Sequence, residues 1–221
     1  MFQNRRQAGE KLLPKVGALL NPGEECIILA IPRGGVEVAE PLAAGLQAPL
    51  DVIIPRKLGA PNNPELAVGA ITPDGTLLWN ENLLTRLGLT YEKMQPVVEG
   101  ALEELGQRTE MYRQARFFPD LQGKTVIVVD DGIATGFTLE AALKSIKKQQ
   151  PGRVILAVPV GPAATIERYN TMLETVCLYA PEKFYAVGEF YRDFSPTTHE
   201  IVISILASHS PDQGSQKDKI M

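Results

Sequence analysis

The run Lys124 to Asp131, Lys-Thr-Val-Ile-Val-Val-Asp-Asp, limits the fold of this chain more than any other stretch. A strand with one wet face alternates apolar and polar residues. An unbroken β-branched run instead belongs to a strand buried on both faces, the central position of a parallel sheet covered by helices. Elsewhere strand-like runs alternate with amphipathic stretches, the pattern of βαβ units. The predicted class is therefore α/β, with a mostly parallel central sheet flanked by helices.

The remaining elements follow from periodicity and breakers. Helices are predicted over Arg5 to Leu20, closed by Asn21-Pro22-Gly23, and over Val36 to Leu46. Strands are predicted over Cys26 to Ile31 and Leu50 to Ile54. Residues 68 to 79 read as an antiparallel hairpin about Pro73-Asp74-Gly75. A long helix over Tyr91 to Arg116 carries Arg108, Arg113 and Arg116 on what reads as a solvated face. A helix over Thr135 to Gln149, a strand over Val154 to Pro159, a helix over Ala163 to Leu173 and a strand over Thr175 to Tyr179 complete the pattern. The expected organisation is one domain, residues 1–207, with an insertion at about residues 59–118 and a disordered polar tail over residues 208–221.

With 44% hydrophobic and 22% charged residues among 221, the composition is that of a globular protein able to bury its own core. A net charge of -4 speaks against a broad nucleic-acid face. No apolar run approaches the roughly 18 residues needed to cross a bilayer. The start, Met1 to Arg6, lacks a signal-like apolar stretch, so a cytoplasmic location and no membrane partner are expected. Cys26 and Cys177 both lie in apolar runs and read as strand residues, and His199 and His209 have no neighbours at zinc-ligand spacing, so no protein metal site is expected.

The chemistry concentrates in Val126-Ile-Val-Val-Asp130-Asp131-Gly132-Ile133-Ala134-Thr135-Gly136-Phe137-Thr138. In an open parallel sheet the carboxyl ends of the strands and the following helix starts face one crevice. A phosphate at this helix start meets backbone N–H groups, the positive end of the helix dipole and the hydroxyls of Thr135 and Thr138. Asp130 and Asp131 can accept hydrogen bonds from vicinal hydroxyls. Taken singly, the threonines could be ordinary caps and the aspartates a solvated strand end; the ordered combination favours a ligand. No lysine follows the loop glycine as in a Walker A sequence, no Gly-x-Gly-x-x-Gly follows a strand, and the adjacent aspartates lack the one-residue gap of an aspartate phosphatase.

This segment closely resembles the 5-phosphoribosyl-1-pyrophosphate (PRPP) motif of type I phosphoribosyltransferases. The resemblance implies that fold, with a C-terminal hood and a hairpin/helix insertion. It implies that Asp130 and Asp131 hold the ribose hydroxyls and that Ala134, Thr135, Gly136, Phe137 and Thr138 cradle the 5′-phosphate. Phe137 departs from the small residue usual there, so its ring must point away from the phosphate or cover part of the pocket. Ala134 departs from the aspartate frequent in enzymes acting on 6-oxopurines, which disfavours hypoxanthine and guanine.

Ile31-Pro32-Arg33-Gly34-Gly35 resembles the family's pyrophosphate loop, often built around a cis non-proline peptide, and assigns PRPP contacts to Arg33, Gly34 and Gly35. Pro55-Arg56-Lys57-Leu58-Gly59 ends the second strand and resembles the basic pair preceding the mobile catalytic loop, which would fall at Ala60 to Glu65. Arg56 and Lys57 would then meet pyrophosphate charge, with Lys57 catalytic beside the aspartates. A hood at Tyr185 to Ser195 offers Phe190, Tyr191 and Asp193 to a base, or else packs as a satellite core. The implied activity is transfer of the phosphoribosyl group to a nitrogen nucleophile of the nucleobase kind, with Mg²⁺ bound alongside PRPP and a homodimeric assembly. The alternative on this fold is a PRPP- or nucleotide-sensing regulator. Because neighbouring carboxylates repel, replacing both aspartates by Asn is expected to leave the melting temperature unchanged or to raise it.

Overall fold

The computed structural model describes residues 1–114, 116–134 and 136–209. Five parallel strands form the central sheet in the order β2-β1-β6-β7-β8. They are β1 (Cys26–Ala30), β2 (Leu50–Val52), β6 (Thr125–Val129), β7 (Arg153–Val160) and β8 (Glu174–Tyr179). Three antiparallel strands, β3 (Arg56–Ala60), β4 (Asn63–Ile71) and β5 (Leu77–Trp79), form a second sheet. The helices are α1 (Arg5–Gly17), α2 (Gly34–Leu46), α3 (Glu81–Leu87), α4 (Tyr91–Arg113), α5 (Phe137–Lys148), α6 (Ala163–Asn170) and α7 (His199–Ser208).

The unbroken apolar run does become the central strand. β6 pairs in register with β1 and β7, and its side chains divide by parity between two cores. Ile127 and Val129 join the layer packed by α1 and α2, with Leu12, Val36 and Leu42. Val126 and Val128 join the layer packed by α5 and α6, with Leu139, Leu143 and Ile166. A charge at any of these four positions would be buried whichever way it pointed, which is why the run cannot alternate.

α1 is capped by Asn4, whose side chain accepts from the Gln7 N–H at 2.9 Å. It ends at Gly17 rather than Leu20, because Leu19 and Leu20 donate three residues back, to Val16 and Gly17, in tightened turns. α1 and α2 lie in close contact: a Cβ on Gly9 would sit 2.1 Å from the Val38 carbonyl oxygen, so this position must be glycine.

Two expectations need correction. Arg56 and Lys57 do not close the second strand. β2 stops at Val52, and these residues open β3, which pairs with β4 through Lys57 opposite Ala70. Ala60 to Glu65, the segment expected to be the mobile loop, is the tip of the β3–β4 hairpin, turned at residues 61–62. The prolines and Gly59 mask the pattern, with a register shift on each side of Gly59. Finally, Arg113 and Arg116 are not on a solvated face. Arg113 pairs with Asp51 at 3.2 Å, donates to the Val52 carbonyl at 2.8 Å and lies over the Phe118 ring, while Arg116 donates to the carbonyls of Leu206, Tyr112 and Arg113. Arg108, in contrast, is half-exposed beside Glu104.

α3 and α7 appear where no element was expected. α7 carries Val202 and Leu206 into the core; of the expected tail, residues 210–221 lie outside those described. Cys26 is buried in β1 and Cys177 lies half-buried in β8, as expected of strand residues.

Candidate active site

All five parallel strands end on one edge, so the segments after β1, β2 and β6 gather there. The loop after β1 is fastened to the end of β6: the Ile31 N–H donates to the Val129 carbonyl at 2.8 Å. Gly35 presses so close that a Cβ would meet the Val129 oxygen at 2.9 Å and Asp130 Cα at 3.0 Å. The Pro32–Arg33 peptide is cis. Arg33 is exposed at the start of α2.

The segment after β6 opens α5 with Gly136 at φ 77°, a left-handed conformation that favours glycine. No described side chain caps this helix start, so first-turn N–H groups remain for a ligand. Beneath it, the buried Tyr169 hydroxyl donates to the Gly136 carbonyl at 3.0 Å and fixes the turn. Ala134 is exposed at the loop surface, and Phe137 and Thr138 are half-buried in the first turn. Thr135 lies outside the described residues.

The two aspartates have unlike environments. Asp130 accepts from the Asp131 N–H at 2.8 Å, and burial, reinforced by the Asp131 charge, pushes its carboxyl well above the ordinary range. Burial also raises Asp131, but Arg5 opposes it, donating from Nε to Oδ2 at 2.7 Å. The Tyr191 hydroxyl donates to the Asp131 carbonyl at 2.6 Å. Gly34 closes over this pair: a Cβ there would fall 1.9 Å from Asp131 Oδ2 and 2.6 Å from Arg5 Nε.

The basic pair is split by its strand. Arg56 forms a two-pronged ion pair with Glu104 of α4, whereas Lys57 is exposed. In the hood, Tyr191 is corrected from a base-stacking residue to a core residue: it is 5% exposed and packs against Phe2 and Phe194. Phe190 is half-buried and stacks with Phe184 at 5.6 Å between centroids, while Tyr185 is exposed at the hood's surface. Asp193 accepts from the Ser195 hydroxyl and N–H, bonds that hold its carboxyl below the ordinary value. Sequence reading missed Arg5 and Tyr169, both distant in the chain from the residues they hold and carrying no local signal.

Among the described residues no three His, Cys, Asp or Glu side chains converge to hold a metal, and no helix is long and apolar enough to cross a membrane. His199 instead meets the Tyr112 hydroxyl, with Nδ1 2.7 Å away.

The carboxylate pair, the α5 start and the loop after β1 share one sheet edge, and residues 4–194 match the family profile of the phosphoribosyl transferase domain. The chain belongs to the phosphoribosyl transferase family. It is 41% identical over 207 residues to proteins of two Mycobacterium tuberculosis strains, CDC 1551 and H37Rv, that are named as phosphoribosyl transferases. That match covers 93% of this chain but 46% of each relative, so the chain spans about half their length. Among solved structures, TT1426 from Thermus thermophilus is 37% identical with a TM-score of 0.80, over 95% of this chain and 99% of that one. AQ2163 from Aquifex aeolicus, 15% identical with a TM-score of 0.50 over 93% and 84% of the two chains, shares the fold.

Proposed function

We propose that this protein transfers the 5-phosphoribosyl group of PRPP to a nitrogen nucleophile of the nucleobase class, releasing pyrophosphate. The observation that carries this reading is the convergence on one edge of the uncapped α5 start, the Asp130–Asp131 pair and the Pro32–Gly35 loop.

In this arrangement the 5′-phosphate rests on the first-turn N–H groups of α5, where the helix dipole favours a dianion. The ribose hydroxyls donate to the carboxylates of Asp130 and Asp131. The diphosphate then extends toward Arg33, Gly34 and Gly35, with Lys57 and, beyond its ion pair, Arg56 contributing positive charge. As the anomeric C–O bond lengthens, the bonding pair leaves with pyrophosphate, the ribose gains oxocarbenium character and the nitrogen lone pair closes on the same carbon. The protein contributes positioning and charge stabilisation rather than a covalent intermediate. Mg²⁺, which commonly retains phosphate ligands, would suit this chemistry as a cation carried in with PRPP.

The test is pyrophosphate release from PRPP and Mg²⁺ with a panel of bases. Turnover with one base is expected. PRPP binding with no release across the panel overturns the enzymatic reading and fits the sensor instead.

A further inference from the structure

Residues 2–5 form a clasp between the chain's start and its hood. The Phe2 N–H donates to the Phe190 carbonyl at 2.7 Å, the Arg192 N–H to the Phe2 carbonyl at 2.8 Å and the Asp193 N–H to the Gln3 carbonyl at 2.9 Å. Asn4 then caps α1, which sets the direction of the helix's first residue, Arg5. Arg5 is 7% exposed. Nε donates to Asp131 Oδ2 at 2.7 Å, one terminal nitrogen donates to the Ser195 carbonyl at 2.7 Å and lies 3.9 Å from Glu37, and the guanidinium carbon stands 3.9 Å over the Phe194 ring.

We propose that Arg5 is a positioning residue of the ribose site: it occupies Oδ2 of Asp131 with a fixed donor and so presents Oδ1 to a ribose hydroxyl. The inference rests on the ribose role proposed for Asp131. Arg5 acts through that carboxylate, because its Nε donates to it, one terminal nitrogen is held by the Ser195 carbonyl, and its side chain is largely buried. A guanidinium suits the task, since its planar fork fixes the angle as well as the charge.

The charged and titratable groups facing Asp131 are Arg5 from α1, Glu37 from α2, and Asp130 and Tyr191. Burial raises Asp131, Arg5 opposes the rise and Glu37 adds to it. Removing Arg5 therefore moves protonation of Asp131 to higher pH, and the neutral carboxyl accepts a hydroxyl proton less well. Removing the Glu37 charge moves it the other way.

The test titrates PRPP and orthophosphate, each with Mg²⁺, into the unmodified protein, Arg5→Gln, Arg5→Lys and Glu37→Gln across a pH series. Arg5→Gln is expected to weaken PRPP binding roughly tenfold at neutral pH and to move its acid limb upward by about one pH unit. Orthophosphate binding, which needs only the α5 start, stays unchanged. Arg5→Lys restores the pH limb in part, and Glu37→Gln moves it downward. Unaltered PRPP binding and pH dependence in Arg5→Gln, or equal loss for both ligands, overturns the proposal. Should Arg5→Gln not fold, an unmoved limb in Glu37→Gln overturns it. If the unmodified protein ignores PRPP, the ribose reading fails, and carbon NMR titration of Asp131 still decides the coupling: a raised pKa in Arg5→Gln or Arg5→Lys supports it and an unmoved one refutes it.

Discussion

The segment Val126 to Thr138 and the clasp joining residues 2–5 to residues 187–197 meet at Asp131, yet they are built in opposite ways. The first is contiguous: strand, acidic pair, turn and helix follow one another, and distant residues hold the turn at Gly136 through the Tyr169 hydroxyl and at Ile133 through the Val160 carbonyl. The second joins chain positions 190 residues apart, as in the bond from Arg5 to the Ser195 carbonyl. Local order supplies the chemical groups. Long-range closure sets the charge and direction of one of them. The two adjacent carboxylates are thereby made unequal, for Asp131 has a counter-ion and Asp130 accepts a backbone N–H.

Substitution where the two regions touch is expected to have the largest effect. Gly34→Ala places a Cβ 1.9 Å from Asp131 Oδ2, and the groups it would displace form the ion pair itself. Overpacking of this kind is expected to cost about 3 kcal/mol, measured by urea unfolding, and to reduce PRPP binding sharply.

Next comes the asymmetry within the pair. Asp131→Asn leaves Arg5 without a full counter-charge in a largely buried position and is expected to destabilise by roughly 2 kcal/mol. Asp130→Asn relieves a carboxylate whose ionised form is disfavoured by burial and by its neighbour, so the melting temperature should hold or rise. This divides the expectation drawn from sequence, in which the two residues behaved alike. The pH dependence follows. With Asp130 raised in the folded state, the native protein binds more protons than the unfolded chain between the ordinary carboxylate pKa and the raised one, so stability falls as pH rises through that window. Melting scans should show this slope in the unmodified protein and a flatter one in Asp130→Asn. Equal melting temperatures for the two Asn variants would break the comparison.

The smallest effect is expected where the hood touches the Asp131 backbone. Tyr191→Phe removes one hydrogen bond to the Asp131 carbonyl and should cost about 1 kcal/mol by the same unfolding measurement. No loss at all would mean that the hood's packing, rather than this bond, holds the clasp.

What was legible in the sequence follows the same division. The β6 run and the helix after it could be read because burial on both faces and the strand–turn–helix order act within thirteen residues. The Pro32–Gly35 loop could be read because it ends a strand and opens a helix. β3 could not, since Leu58 and Ala60 alternate with polar or small residues for two positions only, and prolines interrupt the pattern on either side. Arg113 and Arg116 resembled their solvated neighbours because only the fold places Asp51, Val52 and Leu206 beside them. Arg5 stood in a polar stretch like any helix-start cation, and nothing near it in sequence pointed to position 131. Tyr191 carried an aromatic signal that suited a base as well as a core; the buried ring against Phe2 decides for the core.

The central claim, that one sheet edge binds a phosphorylated ribose carrying a diphosphate, is tested most directly by calorimetry of the unmodified protein with PRPP, ribose 5-phosphate and orthophosphate, all with Mg²⁺. If the α5 start, the carboxylates and the Arg33 loop each hold their part, affinity must fall in that order. Orthophosphate binding as tightly as PRPP would contradict it, leaving an anion site at a helix start with no role for Asp130 and Asp131.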